Sequence, residues 1–249
     1  MHSSPPKIAI WAGFSAANIN LKMRKLMILV PAFNEEKTVG AVIDQLHKNK
    51  PKNLDTEIIV INDGSSDNTQ NEARKKKVRV LNHLLNRGLG GALGTGLAYA
   101  KTHDVDFVIT FDADGQHNPH DIKKIIKPII LQKADLVIGS RLKKKQSMPP
   151  DRFLLNWFAN IATFFLFGIF STDSQSGLRA FSKKAIEAIE IRSDRMDFSS
   201  EILLEAKRNN LKIVEVPIRA IYTPYSRKKG QKNINALPIM ARFLVKLFR

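Results

Sequence analysis

The chain has 249 residues, 43% hydrophobic and 25% charged, which suits one sizeable α/β domain and excludes a disordered polar chain. It contains no cysteine, so a disulfide scaffold and a thiolate zinc site are both excluded. Forty Lys and Arg against 23 Asp and Glu leave a net charge of +17, so the expected partner is anionic: nucleic acid, lipid headgroups or a phosphorylated small molecule.

Residues 1–25 read as a detachable, disordered extension, polar and Pro-rich at first and then only mildly apolar. Leu26 to Val30 is an unbroken apolar run, the mark of a buried strand. Val39, Val42, Ile43 and Leu46 then recur at helical spacing, with Asn34 available as the cap. Glu57 to Ile61 predicts a second strand, Asp67 to Lys77 a polar helix and Val78 to Leu81 a third strand. Leu89, Leu93, Leu97 and Ala100 stripe a helix whose glycines suit close packing, and Asp106 to Phe111 predicts a fourth strand. Asn118-Pro119 opens a helix in the favoured cap-then-Pro order, with Ile122, Ile125, Ile126 and Ile129 inward. A fifth strand is expected over Ala134 to Gly139. Beyond it, Phe153 to Phe170 is strongly apolar, Phe181 to Glu190 and Ser200 to Asn209 predict helices, and Lys212 to Val216 predicts a strand. Strands alternating with helices imply right-handed crossovers and a largely parallel sheet. The expected organisation is one α/β domain over 26–225, including helices at 150–171, followed by a basic amphipathic tail at 226–249.

In an open parallel sheet, ligands bind outside the carboxyl ends of the strands. Three polar clusters fall there: Pro31-Ala32-Phe33-Asn34-Glu35-Glu36, Asn62-Asp63-Gly64-Ser65-Ser66-Asp67, and Asp112-Ala113-Asp114-Gly115-Gln116-His117. Asp112 and Asp114 at the end of an apolar strand call for a cation, and hard divalent metals take such oxygen ligands while bridging to phosphates. Gln116 supplies a further oxygen. The stretch Gly88 to Gly94 is not a dinucleotide fingerprint, because the sixth position after Gly88 is Leu93 and the first strand lies elsewhere.

These motifs resemble those of family 2 glycosyltransferases with the GT-A fold, in particular polyprenyl-phosphate (dolichyl-phosphate) mannose or glucose synthases, from about Leu26 to Lys232. The resemblance implies a Rossmann-like, mostly parallel sheet flanked by helices. It implies that Pro31, Phe33, Asn34, Glu35, Ile61, Asp63, Gly88 and Ala113 line a nucleotide-sugar pocket, with Asp63 toward the base. It also implies Mg²⁺ or Mn²⁺ on Asp112, Asp114 and Gln116, with Arg141 facing the donor phosphates. Ser176 and Arg179, from the signature Thr172 to Arg179, are implied on the acceptor side together with Arg152, Arg227 and Lys232. The family's closing Arg, Gly, Ser-Lys pattern is met by Arg227 and Gly230, but Lys232-Asn233 stands where Ser-Lys is expected.

The activity so implied is inverting transfer of a hexose from a GDP-mannose or UDP-glucose type donor to a polyprenyl phosphate, with the metal and Arg141 offsetting charge on the leaving diphosphate. A phosphate acceptor needs no general base. A sugar-hydroxyl acceptor, in glycan or glycolipid assembly, would need one, and Asp173 or Glu201 would serve. A nucleotidyltransferase, the other enzyme reading, usually carries a glycine-rich basic loop where this chain has Pro31 to Glu35. Nucleic acid is not an expected partner, since no RNA-binding aromatic signature, zinc-finger spacing or helix-turn-helix pattern is present.

Phe153 to Phe170 is about as long as the shortest membrane spans. A single crossing would separate Asp112 and Asp114 from Asp173 to Arg179, so two amphipathic, interfacial helices are expected, on the cytoplasmic face of the cell membrane. Arg152 and the run Lys143-Lys144-Lys145 would draw anionic lipid. A buried core helix is the plainer alternative.

Overall fold

The computed structural model describes residues 23–143, 150–193 and 198–221. Arg227, Lys232, most of the expected extension and the whole basic tail lie outside the described residues. Seven strands among the described residues form one sheet: β1 (Lys25–Ala32), β2 (Asp55–Asn62), β3 (Arg79–Asn82), β4 (Phe107–Thr110), β5 (Leu136–Ser140), β6 (Arg179–Ser182) and β7 (Ile213–Pro217). Their spatial order is β3-β2-β1-β4-β6-β5-β7. β6 runs antiparallel to both β4 and β5, and every other pairing is parallel.

The helices are α1 (Val39–Lys48), α2 (Thr69–Lys75), α3 (Gly88–Thr102), α4 (Ile122–Ile130), α5 (Pro150–Phe167), α6 (Lys183–Ala188) and α7 (Phe198–Arg208). Both faces of the central strand are buried. Leu26, Ile28 and Val30 join the core under α1 and α4, while Met27 and Leu29 join the core under α3, α6 and α7. That is why β1 reads as a continuous apolar run rather than an alternation. α3 lies so close to the sheet that a Cβ on Gly96 would stand 2.8 Å from Leu29 Cδ1 and 3.2 Å from Ile61 Cδ1. Packing explains this glycine.

Two expectations change. The helix expected over Phe181 to Glu190 is β6 followed by the short α6, with the Ser182 hydroxyl accepting from Ala185 N as its cap. Four residues between two neighbouring strands are too few to show a period of two. Asn34 does not cap α1. It holds a left-handed backbone at φ 54°, and its side-chain oxygen accepts from Ser66 N at 2.9 Å, while α1 begins five residues beyond it at Val39. The Asn118 cap stands as expected, accepting from His120 N ahead of Pro119 and a single 3₁₀ turn.

α5 is one continuous helix rather than two, and Gly168 closes it with φ 60° and an N–H to Phe164 O at 2.7 Å. At about 100° per residue, Phe153, Trp157 and Phe164 form one stripe and Leu154, Phe158 and Phe165 the next, all of them exposed. Asn160, at the edge of the first stripe, and Thr163, on the far side, hydrogen-bond to the protein. Among the described side chains of α5, the large apolar ones are exposed and these two polar ones are bonded to the domain. No helix among the described residues is long and apolar enough to cross a membrane.

The basic runs divide by position. α2 returns from the end of β2 to the start of β3, so Lys75, Lys76 and Lys77 sit at the rim opposite the strand carboxyl ends, with Lys76 paired to Asp44. Lys143 follows β5 at the carboxyl-end rim, and Lys144 and Lys145 lie outside the described residues.

Candidate active site

The pairing of β1 with β2 and β4 brings the three polar clusters side by side on one rim. The first two clasp each other: Asn34 N donates to Ser65 Oγ at 3.0 Å, and Glu35 N donates to Thr69 Oγ1 at 2.7 Å. Pro31, Ile61 and Ala113 are buried in the floor, Glu35 is 8% exposed, and Phe33 is 43% exposed. Asp63 is sealed in. Its carboxylate takes Arg87 N at 2.9 Å and Gly88 N at 2.8 Å, with His83 Nδ1 2.7 Å and Asn86 Nδ2 2.9 Å away. Asp63 thus shapes the loop from His83 to Gly88.

Asp112 follows the buried Phe111 at the end of β4. Its Oδ2 lies 2.8 Å from Nε2 of His117, a 4%-exposed ring set edge-on to Phe111. Burial alone would raise the Asp112 carboxyl, but His117 and the guanidinium charges of Arg141 and Arg179 outweigh it and hold the group below the usual carboxylate range. Asp114 goes the other way. Burial and then the neighbouring charge of Asp112 push it up to about 6, against the N–H that Gln116 donates at 2.9 Å. The loop is latched from above, where Ile221 N donates to Gln116 O at 2.8 Å and His117 bridges to Ala220.

Gly177 lies against Asp112 so closely that a Cβ there would stand 2.2 Å from Oδ2. This contact brings the second half of the chain to the carboxylate pair. Arg141, at the end of β5, adds the cationic wall. Its Nε and Nη2 meet Asp173 Oδ2 and Oδ1 at 2.8 and 2.7 Å, and its backbone N–H donates to Oδ2 at 2.8 Å.

Residues 27–190 match the model of glycosyl transferase family 2. The chain is a family 2 glycosyltransferase. It is 39% identical to a UDP-N-acetylglucosamine–dolichyl-phosphate N-acetylglucosaminyltransferase of Methanococcus voltae, over 88% of this chain and 95% of that one. It is 28% identical to an undecaprenyl-phosphate mannosyltransferase of Micrococcus luteus, over 78% and 82% of the two chains. Its fold matches a glucosyl-3-phosphoglycerate synthase from Mycobacterium tuberculosis, solved with Mn²⁺, uridine diphosphate and glucosyl-3-phosphoglycerate. That match has a TM-score of 0.67 and 21% identity, and covers 90% of this chain and 78% of the other. The architecture is thus the GT-A fold expected from the sequence.

Several residues of this glycosyltransferase occupy places other than those expected. Asp173 is fully buried and its carboxylate is filled by Arg141, so it is not a base waiting for a hydroxyl. Glu201 accepts from Arg192 N and Ser193 N, at 3.0 and 2.9 Å, and caps a turn. Arg179, expected toward an acceptor phosphate, is 1% exposed. Its guanidinium donates to the carbonyls of Ser176 at 2.9 Å, Ser174 at 2.7 Å and Ser199 at 3.4 Å. Ser176 is buried beside it. Arg179 acts under the site, holding the 174–177 turn and lending charge to Asp112. Arg152 lies on α5 near its start, and its side chain is outside the described residues. His117 is the residue that sequence reasoning left without a role. Its signal was only its place at the end of the aspartate motif.

Arg179→Met should therefore lower stability by about 3 kcal/mol, since three buried carbonyls lose a charged donor. Chemical denaturation measures this. A phosphate-binding role would instead weaken acceptor use and leave the midpoint unmoved.

Proposed function

We propose that this glycosyltransferase moves a sugar from a nucleotide-sugar donor to a polyprenyl phosphate at a membrane surface, by one inverting displacement. The observation that carries this is α5. Its six large apolar side chains point away from the domain, and the helix is flanked by Arg141 at the end of β5 and by the turn before Gly177. An exposed apolar face of this size marks a surface that an apolar partner covers, and a lipid surface is the one that would also bring a polyprenyl phosphate to this rim. The two relatives named above differ in the sugar they carry and agree on a lipid phosphate, which supports the acceptor class more than any sugar.

The chain's own groups suit an ionised acceptor. The carboxylates once considered as bases, Asp173 and Glu201, are already filled by donors. A lipid phosphate is largely charged at neutral pH, with a second pKa of about 6 by analogy with phosphorylated side chains, and attacks without a base. Arg141, fixed by Asp173, presents positive charge toward Asp112 and the phosphates beside it.

The carboxylate pair fits a divalent cation. Asp114 is pushed up to about 6 partly by Asp112, a repulsion that a cation between the two would relieve. Among the described residues no cage of three or more His, Asp or Glu side chains forms, so Asp112, Asp114 and the Gln116 amide would hold a hard ion whose remaining ligands are water and diphosphate. Bound there, Mg²⁺ or Mn²⁺ would neutralise the departing nucleotide diphosphate. His117 keeps Asp112 in place, and Phe33 stands partly exposed on the same rim, where the base would lie.

The test incubates the full chain with membranes or lipid vesicles containing a polyprenyl phosphate and Mn²⁺, using radiolabelled UDP-N-acetylglucosamine, UDP-glucose and GDP-mannose in turn. Label from one donor is expected in the organic phase. Label that appears only in water-soluble glycan would overturn the acceptor assignment. A Trp157→Glu, Phe165→Glu double variant should bind anionic vesicles at least about tenfold more weakly in sedimentation, since each buried ring contributes about 1.5–3 kcal/mol. Unchanged binding would remove α5 from the membrane contact.

A further inference from the structure

The turn that carries Asp173 is gripped from two sides. From α5, the Asn160 Nδ2 donates to Thr172 O at 2.7 Å, and its Oδ1 accepts from Ser174 N at 2.9 Å. From the outer strand β7, the Glu215 carboxylate accepts from Ser171 Oγ at 2.7 Å, Thr172 N at 2.8 Å and Thr172 Oγ1 at 2.6 Å. Between these grips, Asp173 receives three hydrogen bonds from Arg141. Ser140 Oγ, one residue before Arg141, lies 2.7 Å from Thr172 Oγ1. Glu215 is poorly placed to do anything else. Its side chain is 11% exposed, and Lys143 Nζ lies 3.7 Å from it.

We propose that Asn160 and Glu215 are positioning residues that aim Arg141 through Asp173, so that the membrane-facing helix α5 forms part of the catalytic frame. A helix that served only to hold the protein on lipid would not need an amide bonded to both peptide groups flanking Asp173. Asn160 lies one turn from the exposed Trp157 and Phe164 on the same helix, so a shift of α5 on its lipid support moves the turn, Asp173 and Arg141 together. The inference rests on the proposed role of Arg141 at the leaving diphosphate.

Two readouts test it on the full chain. The first is amide hydrogen exchange, which needs no substrate. Asn160→Ala should expose Ser174 N–H, which loses its acceptor, and Glu215→Gln should weaken protection of Thr172 N–H, because one neutral amide oxygen replaces two carboxylate oxygens that take three donors. Both variants should also speed exchange at Arg141 N–H, which neither residue touches. Protection unchanged at Arg141 in both variants would overturn the proposal. The second is a double-mutant cycle with whichever nucleotide sugar labels the lipid. Asn160→Ala and Glu215→Gln should each lower kcat by about 10- to 100-fold, with the donor KM nearly unchanged. In an Arg141→Ala background neither should lower it further, whereas purely structural damage would add in full. Asn160→Asp, which keeps only the acceptor for Ser174 N, should fall between wild type and Asn160→Ala. Additive losses would overturn the brace. Absence of lipid labelling by the wild type would instead count against the proposed acceptor, leaving the exchange result to decide the brace.

Discussion

Gly177→Ala is expected to lower kcat by about 100-fold or more while the chain stays folded. The added Cβ would stand 2.2 Å from Asp112 Oδ2, 2.5 Å from Oδ1 and 2.7 Å from Cγ, far inside van der Waals contact. The backbone of Gly177 is not in the left-handed region, so alanine meets no conformational barrier there and the strain falls on the carboxylate. Asp112 must swing away from His117 and from its neighbour Asp114. A misplacement of about 1 Å at a reacting centre costs on the order of 10²-fold. Overpacking at one methyl costs only about 1–3 kcal/mol of stability. The measurements are kcat with the labelled donor and the denaturation midpoint in EDTA. Near-normal turnover in this variant would mean that Asp112 does not need the position it occupies, and the cation assignment would fall with it.

How much of this was legible in the residues depends on the length scale of the signal. Strands β1, β2, β4 and β5 declared themselves because each is an apolar run, as with Leu26 to Val30, and α1 and α4 because their apolar residues recur at period 3.6, as in Val39 to Leu46. β6 did not, because four residues paired on both sides carry no periodic signature of their own. The rim clusters were legible because parallel topology alone puts them together. Arg179 was placed by motif and misjudged in direction. A sequence says that an arginine is present, but not whether it faces ligand or backbone carbonyls. Asp173 was misjudged for a related reason: its partner Arg141 lies 32 residues away and meets it only through the fold. The apolar stretch from Phe153 forms one helix where two were expected. Its polar residues looked like breaks between two helices, yet Asn160 and Thr163 are the contacts by which a single helix is held.

The second large effect concerns Asp114 and acid. Its folded pKa of about 6 lies above the ordinary 3.8, so between those values the folded chain holds a proton that the unfolded chain has lost. Stability without metal should therefore fall as pH rises through that window. Asp112 has the opposite sign: its contribution is present above the ordinary carboxylate pKa and is lost only as pH falls below it. A divalent cation needs Asp114 ionised and competes with that proton, so its affinity should drop about tenfold per unit below pH 6. With Mn²⁺ at a hundredfold excess over its Kd at pH 7.5, the midpoint should rise by about 5–10 °C there, and the increment should shrink to about half by pH 5. Asp114→Asn should erase both the metal increment and the pH dependence in this window, and should cost about 10²- to 10³-fold in transfer. Thermal melts in EDTA and in Mn²⁺ across pH 5 to 8 make the comparison. An equal Mn²⁺ increment at both ends of that range would separate Asp114 from the cation, and with it the reason for two crowded carboxylates at the end of β4.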